Sequence, residues 1–396
     1  FSSIATGSFG NFSDFASIQG FLPDITDYYG ITPLMLAAKK GNLELVNKLL
    51  SDKASVKLTD YYGQTALTHA VWGGNTTVAE SIINNAADVN HIDAKGYTPL
   101  IHAAIAENTE MINFLLGKGA KVNIKTKSGA SALKAAAQTG NIANVRLLVE
   151  KGANVNTKHK FGGTALMYAA DFGRKEVAEY LISQGANLNT KIAEGYTALM
   201  EAADEGHYEL VKLLVEKGAD IQARNKYKVN ALMFAADIGS TEITRFLIEK
   251  GLDVNSFDKQ KFTILMAASD AGYEDIVNLL LEKGANLHAK DKHGYTALHC
   301  ASDKGHINIV KTLLAKGADV NVADKDNYTP LMAASAAGHI ELAELLISKG
   351  AQVNTKTKKG QTALDLVDNV YNNTKSTTYG NLKDILQRNG ALRGKE

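Results

Sequence analysis

Hydrophobic and polar positions along this chain recur with a period of 33 residues. A-L-M-Y-A-A-D-F-G at 165–173 returns as A-L-M-E-A-A-D-E-G at 198–206 and as A-L-M-F-A-A-D-I-G at 231–239, with only two positions changing. One phase carries Thr32, Thr65, Thr98, Ser131, Thr164, Thr197, Asn230, Thr263, Thr296, Thr329 and Thr362, eleven markers without an insertion. Each marker is a residue type that caps a helix N-terminus by accepting a hydrogen bond from an orphan backbone N–H. Pro33, Pro99 and Pro330 directly follow a marker, where a missing N–H costs nothing.

Leucine stands two positions after every marker, and alanine stands three further on in ten of the eleven copies. A large and a small side chain on one face let neighbouring helices approach closely. Glycine then ends the short helix, as at Gly41, Gly173, Gly206 and Gly239. A second apolar stretch follows, such as Y-E-L-V-K-L-L-V at 208–215, and stops at Gly-Ala, as in Gly119-Ala120 and Gly317-Ala318. Glycine there supplies the left-handed end of a helix. Each period is thus predicted to be helix, turn, helix and a turn carrying D-V-N or N-V-N.

Thr32-Pro33-Leu34, Thr296-Ala297-Leu298-His299 and Gly-Ala-Asp-Val-Asn at 317–321 carry a resemblance to the ankyrin repeat family. The resemblance covers about 27–391 and implies an all-α fold with β-turn fingers, an elongated, curved ankyrin-repeat α-solenoid. It also implies that the first helices and the fingers line a concave face. Residues 1–26 are expected to form a tail and a degenerate capping half-repeat, and 27–356 ten repeats. Residues 357–396 are expected to form a C-terminal capping repeat in which the stretch 369–380 contains a seven-residue insertion and forms a loop before a final helix near 381–388.

The fixed positions build the stack, so function is sought in the free ones. These are Tyr168, Glu201 and Phe234 and, four residues on, Phe172, Glu205 and Ile238. Residues i and i+4 share a helical face, and in the ankyrin pattern that face looks into the groove. Beside them runs a row of carboxylates, Asp171, Asp204, Asp237, Asp270 and Asp303. Such a row either invites a basic partner or satisfies helix ends and was copied with the repeat.

Tyr97, Tyr196, Phe262, Tyr295 and Tyr328 share one finger phase. Lys127, Lys160, Lys226, Lys259, Lys292, Lys325 and Lys358 share another. An acidic floor, aromatic anchors and a basic lip suit a mixed-charge peptide or protein surface; the alternative makes the lysines a solubilising rim. A second candidate patch is Tyr28, Tyr29, Tyr61, Tyr62 and Trp72, either a hot spot or tyrosines stacked on one another. Lys228 and Lys261 replace the finger-turn glycine seen at Gly162, Gly195 and Gly294, implying strain or a changed turn.

Composition adds exclusions. A formal net charge of +1 gives no global pull toward nucleic acid, and the Asp row opposes phosphate. Cys300 is the only cysteine, which excludes an intrachain disulfide and a cysteine-built zinc site. No apolar run reaches the roughly 18 residues that span a bilayer. Phosphate-loop, nucleophile-elbow and H-E-x-x-H motifs are lacking. His299-Cys300 with His293 fits no common metal or nucleophile spacing, and His69 and His102 stand one repeat apart, about 10 Å, awkward for one ion.

The sequence therefore predicts no catalytic residue, metal or cofactor, and a non-enzymatic scaffold for a protein or extended peptide. Alternatives are the targeting arm of a larger enzyme or exported effector, and a self-assembling structural protein. The chain begins with Phe1 rather than Met, so a removed signal peptide or a boundary chosen within a longer protein are both open, as are cytoplasmic and exported locations.

Overall fold

The computed structural model describes residues 23–124, 126, 129–158 and 163–394. Two compact units divide the chain, Phe1–Ala193 and Glu194–Glu396. The described residues form twenty-two α-helices in eleven pairs, one pair per period. First helices run seven or eight residues (Pro33–Lys39, Ala165–Asp171, Ala231–Asp237) and second helices nine (Leu43–Ser51, Tyr208–Glu216), except in the last repeat. Helices this short are marginal alone, so their stability comes from packing. Within each unit, first helices of successive repeats lie side by side, and each second helix packs on its own first helix. The recurrent leucines and alanines make that seam: Leu34, Leu67, Leu232, Ala37, Ala169 and Ala235 are buried. The isolated antiparallel bridge Phe257–Thr263 is the extended pairing found among the described residues.

Nine of the eleven markers cap as expected, from Thr32 Oγ1 accepting Met35 N–H at 3.2 Å to Asn230 Oδ1 accepting Met233 N–H at 3.1 Å. Two differ. The Thr65 hydroxyl is buried without a partner among the described residues. At Thr296, the His299 ring occupies the capping position. Thr296 N–H donates to His299 Nδ1 at 3.2 Å, and His299 Nε2–H donates to the Tyr328 carbonyl at 3.0 Å.

Side chains join one repeat to the next. The Asn that closes the D-V-N turn donates to the carbonyl of the glycine that ends the following second helix and accepts the N–H two residues beyond it. Asn90 does so with Gly119 and Lys121, and Asn321 with Gly350 and Gln352. The residue before the second helix acts in two ways in several of the repeats. Asn42, Asn75, Asn108 and Asn141 cap that helix with their own amide oxygens. His306 and His339 instead donate from Nε2 to the carbonyls of Asp270 (3.0 Å) and Asp303 (2.9 Å), at the end of the preceding first helix.

The last repeat corrects the sequence reading. The insertion is not a loop: the first helix lengthens to Ala363–Thr374 and the second to Thr377–Arg388. Shifted seven residues by the insertion, Tyr379 donates its hydroxyl to the Ala336 carbonyl at 3.0 Å, the bond His339 makes one repeat earlier. Behind these helices, Asp368 pairs with Lys383 and Arg393, both at 2.8 Å, which ties down the tail. The N-terminal cap expected at 10–26 lies, up to residue 22, outside the described residues, as do Lys127, Lys160 and Gly162.

Candidate functional site

In the C-terminal unit, the varying positions are at least partly solvated while the fixed Met and Ala residues beside them are buried. Phe234 sits between buried Met233 and Ala235, and Ile238 is 38% exposed. Tyr196 reaches from its finger to Phe234, with ring centroids 5.4 Å apart. Burial first, then the carboxylates of Asp204 and Glu201, holds the Tyr196 phenol above its ordinary value. Tyr196, Glu201, Asp204 and Phe234 therefore form one cluster, an aromatic pair with acidic edges. Glu205 and Asp237 are exposed beside it.

The acidic row continues through Asp270 and Asp303, but the chain supplies its own cation there. Lys304 Nζ lies 3.9 Å from Asp270 and 3.6 Å from Asp303. Phe262 is half-buried, and its backbone N–H donates to Asp258 Oδ1 at 2.8 Å. Tyr295 stacks on His299 at 4.9 Å and on Tyr328 at 6.5 Å. Burial and then the neighbouring Tyr328 raise the Tyr295 hydroxyl well above the usual phenol range, and burial and then Asp303 push Tyr328 up to about 12. The Tyr295 ring thus roofs a buried histidine, with Tyr328 stacked on it in turn. Next to it, burial pushes the Cys300 thiol up to about 12, leaving little of the nucleophilic thiolate.

In the N-terminal unit, Tyr168 is half-buried beside Asp171, and Phe172 is 40% exposed. The aromatic patch divides into pairs. Tyr28 and Tyr29 meet edge to face at 5.3 Å, as do Tyr61 and Tyr62 at 5.5 Å. Tyr28 nevertheless remains 88% exposed and Tyr61 78%. Trp72, 41% exposed, lies across the His102 ring at 5.3 Å. His69 and His102 each turn to an aspartate of their own repeat, Asp60 at 3.0 Å and Asp93 at 2.7 Å.

Those aspartates were not singled out from the sequence. Their other oxygen holds the finger turn: Asp60 Oδ1 accepts Tyr62 and Gln64 N–H, and Asp93 Oδ1 accepts Lys95 and Tyr97 N–H. Asp27, Asn225, Asp258, Asp291 and Asp324 repeat the arrangement. The signal was available as an Asp or Asn recurring at 33-residue spacing, five positions before the marker. Lys228 and Lys261 keep the glycine conformation, with φ of 65° and 62°, so the turns are strained rather than altered. Among the described residues, no group of His, Cys, Asp and Glu is placed to hold a metal ion, and no helix is long and apolar enough to cross a membrane.

A family model described as ankyrin repeats (three copies) matches residues 8–93, 74–159, 154–225, 222–291 and 285–357. No curated protein matches the chain.

Proposed function

The chain belongs to the ankyrin repeat family, whose repeats are generally protein-interaction modules and typically non-catalytic, and we propose that it is a binding scaffold. It takes a protein or extended peptide on the first-helix and finger surface of its C-terminal unit. The observation that carries this reading is the Tyr196–Phe234 pair, 5.4 Å apart and edged by Glu201 and Asp204. Partly solvated aromatic rings with charged neighbours are the usual composition of an interface hot spot. The core does not account for Phe234, because the same helix phase accepts Ala267 and Ala333 in later repeats. An apolar side chain from the partner would cover the rings, while an Arg or Lys beside it meets Glu201, Asp204 and Asp237. Tyr168, Asp171 and Phe172 offer the same chemistry in the N-terminal unit.

Selection of a random peptide library on the full chain tests the reading. Enriched peptides should combine an apolar anchor with Arg or Lys. Their affinity should fall about tenfold or more for Asp204→Lys/Asp237→Lys and for Phe234→Ala, a loss of at least ~1.4 kcal/mol. Enriched peptides that bind all three proteins equally would refute it.

A further inference from the structure

A second row in the C-terminal unit runs along the fingertips rather than the helices. Lys226, Lys259, Lys292, Lys325 and Lys358 occupy one phase of five consecutive repeats. The backbone N–H of each donates to the preceding finger, at Glu194, Tyr227, Gln260, His293 and Asp326, over 2.8–2.9 Å. The fingertips are thereby fixed in file, one lysine per repeat. All five are exposed.

The fold asks only for that N–H. In the N-terminal unit the same bond is made by Tyr61, to Tyr29 at 2.8 Å, and by Ala94, to Tyr62 at 2.9 Å. Tyrosine and alanine thus satisfy the phase, and lysine five times in succession is a choice of side chain. Nor are the lysines consumed inside the unit. Lys226 pairs with Glu194 and lies over the Tyr227 ring. The side chains of Lys259, Lys292, Lys325 and Lys358 have no hydrogen bond or ion pair among the described residues. Of the acids adjoining them in sequence, Asp258, Asp291 and Asp324 each spend one oxygen on two N–H groups of their own turn, and Asp326 is exposed beside Lys325 without an ion pair to it.

We infer that this file of lysines is a rail for an extended acidic protein segment whose carboxylates recur at every third residue. The inference rests on the scaffold reading and adds a second contact line to it. Packed helices stand about 8–10 Å apart, which sets the step from one lysine to the next. An extended chain in the polyproline II form rises about 3.1 Å per residue with three residues per turn, so every third side chain returns to the same face about one step further on. A duplex carries a charge about every 1.7 Å, far denser than the lysines, and the acidic row on the first helices would oppose it. Exposed pairs are individually weak and screened over about 8–10 Å. Affinity therefore depends on several pairs being in register.

The experiment uses the full chain and a labelled peptide of five Glu-Ser-Ala repeats, read by fluorescence anisotropy at low and physiological salt. A peptide of the same composition with its glutamates contiguous controls for net charge, and a single-stranded oligonucleotide controls for polyanions. The periodic peptide should bind about tenfold more tightly than the contiguous one. Its binding should weaken with salt and disappear in Lys259→Glu/Lys292→Glu/Lys325→Glu. Lys259→Gln/Lys292→Gln/Lys325→Gln should also lose it, and both variants should keep the wild-type circular dichroism, because the finger bonds are backbone bonds. Equal binding of the two peptides, tighter binding of the oligonucleotide, no binding at low salt, or indifference to both triple variants would overturn the rail. The library selection against Asp204 and Asp237 reads the scaffold site separately, so either can fail alone.

Discussion

His102 Nε2 lies 2.7 Å from Asp93 Oδ2, with both side chains almost wholly buried, and Trp72 covers the imidazole at 5.3 Å. The His69–Asp60 pair, at 3.0 Å, repeats this arrangement in the preceding repeat. Both histidines hold finger to helix inside the N-terminal unit.

The pairs make that unit acid-sensitive. Burial, opposed in part by the aspartates, lowers both imidazoles below 6.5; Lys39 adds to the effect at His69 and Lys95 at His102. The unfolded chain therefore takes up protons at higher pH than the folded chain. The stabilisation is complete above about pH 6.5 and is lost as pH falls through it toward the folded values. Trp72 fluorescence should report a denaturation midpoint that drops between about pH 7.5 and pH 5, with a flatter profile for His69→Gln/His102→Gln. Identical profiles would remove the histidines as the cause.

His299 is expected to be replaceable by one residue type. Met35 and Met266 occupy its phase elsewhere, and their sulfurs accept the marker N–H at 3.4 Å. His299→Met keeps that bond and should cost about 1 kcal/mol. His299→Ala removes both ring bonds and leaves a cavity under Tyr295, costing about 3 kcal/mol. Urea denaturation of the two variants measures the difference.

Ser269, Ser302 and Ser335 are buried with hydroxyls lacking a partner among the described residues. Ala203 and Ala236 fill the same phase in the same unit. Each Ser→Ala change should raise stability by up to about 1 kcal/mol, since it removes an unpaid desolvation. Destabilisation by all three would show that the hydroxyls do have partners.

Lys53 and Ala86 hold a φ of 67° where later repeats have Gly119 and Gly152. A non-glycine residue there costs about 1–2 kcal/mol, less what glycine loses by ordering. Ala86→Gly and Lys53→Gly should therefore raise the melting temperature of the N-terminal unit. A drop would mean that the strain is relieved elsewhere.

The repeat and its helix pairs were legible in the sequence because their causes are local and periodic. Thr164, Leu166 and Ala169 each act within one helix or on the identical helix beside it, so a 33-residue register suffices to read them. The solvated position of Phe234 and Ile238 followed from the same logic, since whatever the seam does not fix is left outside it. Tertiary structure decided what depends on reach between repeats. No local rule states that His306 bonds a carbonyl 36 residues back, that Lys304 sits between Asp270 and Asp303, or that His102 selects Asp93. The insertion shows the reason most clearly. Residues 369–380 read locally as a polar loop, yet they extend two helices, because Tyr379 can then satisfy Ala336 in the neighbouring repeat. A period in sequence fixes which residues recur, whereas side-chain length and direction fix which of them meet.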